Sequence, residues 1–317
     1  MRIAELILPV FAVIVTGWIV GYTGYLSRQL SDALIHFAYN IAMPALLIVT
    51  IAQEPGHSLI NWRFLFAFGG GSLLCFVLVF GVMSLSGSRS LASRTMDGMA
   101  ASMTNTGFVA LPVLQSIYGP RAVLPAAIAT VFVAVVMFPL AVVLLEVNQR
   151  DDHGARTPAM VTVRHVVLNP LVISTLIGML LSVLGLRMPV PVSAYLNIMA
   201  DALTPCALFA IGLGLSLDGL RANIGRASLL SVVKLVIMPL IVYALCRFLG
   251  VDPLYTIAAV ICAAVPTAKT VYILAGEYHC EEMLVASTVS MTTLISVISL
   301  VIWLYALSGV AARIPAR

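Results

Sequence analysis

A chain of 317 residues that is 61% hydrophobic and 9% charged, with a mean hydropathy of +1.08, leaves no room for a sizeable water-soluble domain; soluble domains carry about 25% charged residues. The net charge of +4 comes from arginines scattered through short connections, with no basic block or aromatic-basic interleaving of the kind that holds nucleic acid. The cysteines (Cys75, Cys206, Cys246, Cys262 and Cys280) stand far apart, form no CxxC pair and have no histidine at zinc-ligand spacing, so neither a metal nor a cofactor is expected.

Crossing a hydrocarbon core of roughly 30 Å takes about 20 helical residues. Helices are the default there, because lipid cannot satisfy an open backbone. The apolar run beginning at Ile3 has almost no basic leader and no A-x-A site after it, so it reads as a first span and not as a signal peptide. Nine more follow, giving spans at about 4–24, 31–52, 61–86, 95–118, 121–147, 165–186, 192–217, 226–249, 254–278 and 283–309. The connections are short, as in Gln53-Glu54-Pro55-Gly56-His57, Ser86-Gly87-Ser88-Arg89 and Arg187-Met188-Pro189. The longer polar stretch from Asn148 to Pro158 marks a joint between halves. The expected organisation is therefore a five-helix repeat over 1–147, a cytoplasmic linker over 148–164 and a second five-helix repeat over 165–317.

The halves show weak internal symmetry. At an offset of 161 residues Pro9 falls on Pro170, Gly17 on Gly178, Gly24 on Gly185, Asn40 on Asp201 and Pro44 on Pro205. At 154, Pro112 meets Pro266, Gln115 meets Lys269 and Tyr118 meets Tyr272. An odd number of spans per half inverts the second, and inverted repeats mark secondary transporters with substrate sites near the midplane at broken helices. Eight loop arginines (Arg28, Arg89, Arg94, Arg150, Arg156, Arg164, Arg221, Arg226) against four (Arg63, Arg121, Arg187, Arg247) place both termini outside by the positive-inside rule, although the tails, with Arg2, Arg313 and Arg317, argue the other way. A bacterial inner membrane is the expected location.

Spans four and nine carry the chemistry. In span four the cluster Thr104-Asn105-Thr106-Gly107 precedes Pro112, and in span nine Pro266-Thr267-Ala268-Lys269 precedes Tyr272. Proline removes a helix hydrogen bond, glycine permits a bend, and the hydroxyl and amide groups can meet the freed backbone; half-helix N-termini in such a gap favour anions. A lysine at membrane depth is costly and marks function, but Lys269 also reads as the partner of a buried carboxylate or as a residue snorkelling to the interface. Lys234 lies nearer a helix end and reads as snorkelling. Asp201, with Thr204 and Pro205 following, and its mate Asn40 before Pro44 are candidates for coupling or a supporting layer, as is Gln115; Asp201 equally reads as an ion-pair partner. His36 and Glu146 read as span-end residues. Gly17-x-x-x-Gly21 permits close helix packing, within the chain or across a homodimer. Walker A, HExxH and G-x-S-x-G motifs are absent, which argues against an ATP-driven pump, a metalloprotease or a serine hydrolase.

The segment Asn105-Thr106-Gly107-Phe108-Val109-Ala110-Leu111-Pro112, ending at Tyr118-Gly119, resembles the fourth span of the auxin efflux carrier family. Asn169-Pro170, the run Phe209-Ala210-Ile211-Gly212-Leu213 and the stretch from Pro266 to Tyr278 are similar in the same order, so the resemblance covers essentially the whole chain. It implies an all-α transmembrane fold of ten helices in two inverted repeats. A scaffold of helices one, two, six and seven would flank a transport domain whose fourth and ninth helices break and cross, with Asn105 and Pro112 at the first crossing segment and Pro266 at the second. The sodium–bile acid symporters look like distant relatives. The family moves organic anions, and bacterial members include proteins assigned to malonate. The short central loop and Lys269 depart from the plant carriers, which disfavours auxin as substrate.

Three functions follow. The first is a carrier of a small organic anion such as malonate, bound by Asn105, Thr106, Gly107, Thr267, Tyr272 and Lys269 between Pro112 and Pro266, with the lysine making sodium unnecessary. The second is a proton- or cation-coupled carrier of another substrate, in which Asp201 and Lys269 exchange protons. The third is a receptor that only binds.

Overall fold

Why each helix starts and stops is visible in the chain. In this computed structural model residues 3–27, 29–53, 61–85, 90–153, 168–186, 188–214 and 223–312 are described. Six helices among them are long and apolar enough to cross a membrane: Gln29–Gln53, Trp62–Leu85, Pro120–Asn148, Val190–Leu213, Ile224–Phe248 and Glu282–Ala306. Each coincides with an expected span. Shorter apolar helices, Ala12–Tyr22, Thr106–Tyr118, Pro170–Val183 and Pro253–Ala264, occupy the other four positions. The chain is an all-helical, multi-pass membrane protein.

In chain order the helices are α1 Ile3–Tyr22, α2 Gln29–Phe37, α3 Met43–Gln53, α4 Trp62–Leu85, α5 Leu91–Ser102, α6 Leu111–Tyr118, α7 Val123–Phe132, α8 Phe138–His153, α9 Pro170–Val183, α10 Val190–Asp201, α11 Leu203–Leu213, α12 Ile224–Val232, α13 Met238–Phe248, α14 Pro253–Ala264, α15 Lys269–Glu277, α16 Glu282–Ala306 and α17 Ser308–Ala311. Four π-helical turns interrupt them, at Ala38–Ala42, Thr106–Ala110, Val133–Met137 and Val233–Ile237. Each turn ends two residues before a proline (Pro44, Pro112, Pro139, Pro239). The cause is common to all. Proline donates no hydrogen bond to the carbonyl four residues back and its ring crowds that carbonyl, so the turn ahead of it widens. In the 192–217 span the same stress at Pro205 appears as a turn at Ala202 between α10 and α11.

The helices form two compact units, each drawing on both halves of the sequence. The first comprises Met1–Trp62, Gly107–Val131 and Leu168–Leu215. Its α1 and α11 meet through glycines. A Cβ at Gly17 would collide with the Phe209 carbonyl oxygen, one at Gly212 with the Ile14 carbonyl oxygen, and one at Gly21 would lie 2.9 Å from the Leu213 oxygen. Gly17 and Gly21 therefore serve packing within the chain. Ser31 of α2 donates to the Ala210 carbonyl at 2.7 Å, and Gly178 of α9 abuts Ile51 of α3.

The second unit comprises Arg63–Thr106, Phe132–Val167 and Ser216–Arg317. Its centre is α14, in which every residue from Ile257 to Ala264 is fully buried; a helix apolar on all sides belongs inside. Around it, α4 turns Phe64, Phe68, Cys75 and Phe76 inward and leaves Phe66, Val77, Leu78 and Val82 outside. Such an outer face would be a liability in water and is suited to lipid. Gly98 of α5 faces the Phe76 ring, and Arg63 reaches the Gly250 carbonyl at 3.4 Å.

Two expectations need revision. Asn148 to His153, the start of the expected linker, continues α8; 154–164 lie outside the described residues. Arg63, Arg94, Arg150, Arg226 and Arg247, counted as loop arginines, sit in α4, α5, α8, α12 and α13. Arg94 lies over the Phe80 ring, whereas Arg28, Arg89, Arg156, Arg164, Arg187 and Arg221 and the three tail arginines lie outside the described residues.

Candidate functional site

Span nine breaks because of Pro266. The residue before a proline is pushed out of the helical region, and Val265 is extended at φ −69°, ψ 160°. Ala268 is extended as well, and α15 starts afresh at Lys269. Span four breaks at Met103–Asn105, where no proline intervenes. There the extended backbone is held by its partner: Thr104 and Thr267 form an antiparallel bridge, Asn105 N–H donates to the Pro266 carbonyl at 2.9 Å, and Ala268 N–H donates to the Met103 carbonyl at 3.0 Å. The two broken helices cross at these three-residue segments, within the second unit.

Pro112 is not at the crossing. It sits inside the continuous helical stretch Thr106–Tyr118, and its missing N–H shows upstream as the π turn Thr106–Ala110. The Pro112–Pro266 correspondence at 154 therefore does not describe the breaks. Thr104 and Thr267 lie 163 residues apart, close to the 161 of the other matches.

A break at membrane depth frees carbonyl groups that must find donors. The Thr267 hydroxyl donates to the Ala100 carbonyl at 2.6 Å, and the Cys75 thiol to that of Ala101 at 3.6 Å. Lys234 Nζ donates to the Ala263 carbonyl at 2.5 Å, and Thr267 N–H donates to the Thr292 hydroxyl at 3.2 Å. Thr104 Oγ1, in a residue only 1% exposed, has no partner among the described residues. The C-termini of α5 and α14 bring partial negative charge to the crossing, and the N-terminus of α15 brings partial positive charge with no capping side chain.

Of the expected binding residues, Asn105, Thr106, Pro266, Thr267, Lys269 and Tyr272 belong to this unit. Asn105 is half-buried, Thr106, Pro266 and Thr267 are buried, and Lys269 and Tyr272 are exposed on the first turn of α15. The boundary between the units falls after Thr106, so Gly107, Pro112 and Gln115 belong to the first. A Cβ at Gly107 would lie 3.0 Å from Met43 Cε, and Gln115 Oε1 is buried with no partner among the described residues. Asn40 lies in the π turn before Pro44, exposed, and donates to the His36 carbonyl at 2.9 Å. Asp201 is exposed at the end of α10, with Thr204 half-buried and Pro205 exposed in α11. These residues share the first unit with a polar pair missed in the sequence: Asn169 donates to the Tyr39 hydroxyl at 2.9 Å, and the Tyr39 ring lies 5.9 Å from that of Phe108.

Two more features escaped the sequence reading. Lys234 does not snorkel: it is fully buried in the π turn Val233–Ile237. Its depth was the available signal, since eight residues from the expected span start is about 12 Å of helix. The other is an ion cluster. Arg226 pairs with Asp97 at 2.5 Å and with Glu281 at 3.0 Å, and also donates to Ser93 Oγ at 3.1 Å. It ties α12 to α5 and to the residue preceding α16. Glu146, read as a span-end residue, accepts from the Tyr278 hydroxyl at 2.8 Å.

A family model described as "Membrane transport protein" matches residues 2–304. The chain is 27% identical over 312 residues to a protein of Rhizobium meliloti (strain 1021) named "Putative malonate transporter", covering 96% of this chain and 95% of that one. It is 25% identical over 313 residues to an "Uncharacterized transporter" of Methanothermobacter thermautotrophicus, covering 96% and 98%. Auxin efflux carrier component 2 of Oryza sativa subsp. japonica matches at 26% over 153 residues, 46% of this chain and 24% of that protein.

Proposed function

The chain belongs to the membrane transport protein family, and from that premise we propose that it is a secondary carrier of a small organic anion, with dicarboxylates such as malonate as the first candidates. The observation that carries this reading is the paired crossing at Thr104–Thr267, which gathers the freed polar groups of two broken helices in one place. A carboxylate there meets the Asn105 amide, the unpartnered Thr104 hydroxyl, Thr106 and the uncapped N-terminus of α15, with Lys269 on its first turn adding a full positive charge. The relative named for malonate, matched over nearly its whole length, supports the substrate class. Ten spans in two inverted repeats, 1–147 and 165–317, with alternating access around the crossing, complete the proposal. Its support is the kinked positions of Pro44 and Pro205 at one offset and the near-equal spacing of the two breaks.

The test is thermal unfolding of the detergent-solubilised protein with a panel of mono-, di- and tricarboxylates. A ligand of the native state raises the melting temperature by mass action. A rise with a small dicarboxylate that is lost in Lys269→Ala is the expected result. No response to any acid would overturn the substrate class.

A further inference from the structure

We infer that Lys234 is the resident cation of the crossing: its ammonium takes the place that a coordinated sodium or potassium ion would otherwise fill at the C-terminal end of a broken half-helix, so the crossing is complete without a metal ion. The inference does not depend on which substrate is carried.

The end of α14 presents carbonyl oxygens with the negative pole of the helix behind them. Unwound carbonyls and half-helix C-termini in membranes commonly coordinate monovalent cations. Here five carbonyl oxygens at and beside the two half-helix ends are engaged. Ala100 is met by Thr267, Ala101 by Cys75, Met103 by the Ala268 amide and Pro266 by the Asn105 amide, and Ala263 is met by Lys234. The last is the one full charge in the set. The π turn carries Lys234 into the interior, where Met238 Sδ also lies within hydrogen-bonding range at 3.6 Å. No carboxylate pairs with it among the described residues. A fully buried ammonium without a carboxylate is costly unless fixed dipoles compensate it, and the α14 terminus supplies them. Lys269 occupies a different electrostatic position. It stands in the first turn of α15, at the positive pole of a helix, where it attracts anions and repels cations.

The experiment is thermal unfolding of the purified full chain in sodium, lithium, potassium and choline chloride at equal ionic strength, for the wild type, Lys234→Ala, Lys234→Gln and Lys234→Met. The wild type is expected to melt at the same temperature in all four salts. Lys234→Ala, which opens space beside the Ala263 carbonyl, is expected to melt lower in choline and to regain several degrees, saturably, with sodium or lithium. Lys234→Met fills that space without charge and is expected to melt lower than wild type in every salt. Should Lys234→Ala yield no folded protein, Lys234→Gln, which retains a donor, is read in its place for the same gain. A saturable sodium response in the wild type overturns the inference. So does a Lys234→Met protein as stable as wild type, or cation-insensitivity of whichever of the Ala and Gln variants is read.

Discussion

Two threonines face each other across the crossing, and their hydroxyls do different things. Thr267 Oγ1 meets the Ala100 carbonyl at the end of α5, whereas Thr104 Oγ1 is buried with no partner among the described residues. Replacing Thr267 by valine strands a buried carbonyl, which costs about 1–3 kcal/mol. Thr104→Val removes a hydroxyl that contributes nothing to the empty protein, so stability should stay within about 1 kcal/mol of wild type. If the Thr104 hydroxyl serves the carried anion, the same variant loses the dicarboxylate-induced rise in melting temperature. Melting curves with and without malonate read both effects; equal destabilisation by the two variants would remove Thr104 from the site. This asymmetry was not legible in the sequence. Both threonines sit beside a break, and only the pairing of the strands decides which carbonyl lies within reach of which hydroxyl.

Prolines shape the helices, but they do not all break them. Pro266 forces Val265 out of the helical region by local sterics alone, so this break could be read from one dipeptide. The break at Met103–Asn105 has no local cause, since nothing in Met-Thr-Asn forbids a helix. It exists because the opposing segment supplies its hydrogen bonds; of Asn105 and Pro112, expected there together, Asn105 lies in the break and Pro112 in the helix that follows. Lys234 was misread for a related reason: its burial comes from neighbours distant in sequence. Glycines carry a second element-scale argument. At Gly212 a side chain would strike the Ile14 backbone, whereas at Gly81 nothing lies within 4 Å. Gly212→Ala should therefore destabilise the protein by about 1–3 kcal/mol, as overpacking does. Gly81→Ala should be neutral or gain up to about 1 kcal/mol from helix propensity. Unfolding temperatures of the two variants decide it, and a tolerated Gly212→Ala would mean that α1 and α11 pack less closely than described.

For the molecule as a whole, composition and span length made the class legible: six apolar helices and four shorter ones fall where the hydropathy places spans. The two compact units were not legible as such, because each is assembled from both halves of the chain and compactness is a property of tertiary contacts. One end of the second unit is pinned by Arg226, which joins α12, α5 and the residue before α16 through a carboxylate on either side. In the proposed function the crossing serves the transport of a small dicarboxylate. Uptake of labelled malonate into proteoliposomes holding the purified protein tests it most directly. The account predicts saturable uptake, reduced about tenfold or more by Asn105→Ala at unchanged melting temperature, since a hydrogen bond to a charged group contributes about 1.5–3 kcal/mol. Absence of uptake by a folded wild type that also shows no malonate-induced stabilisation would contradict it.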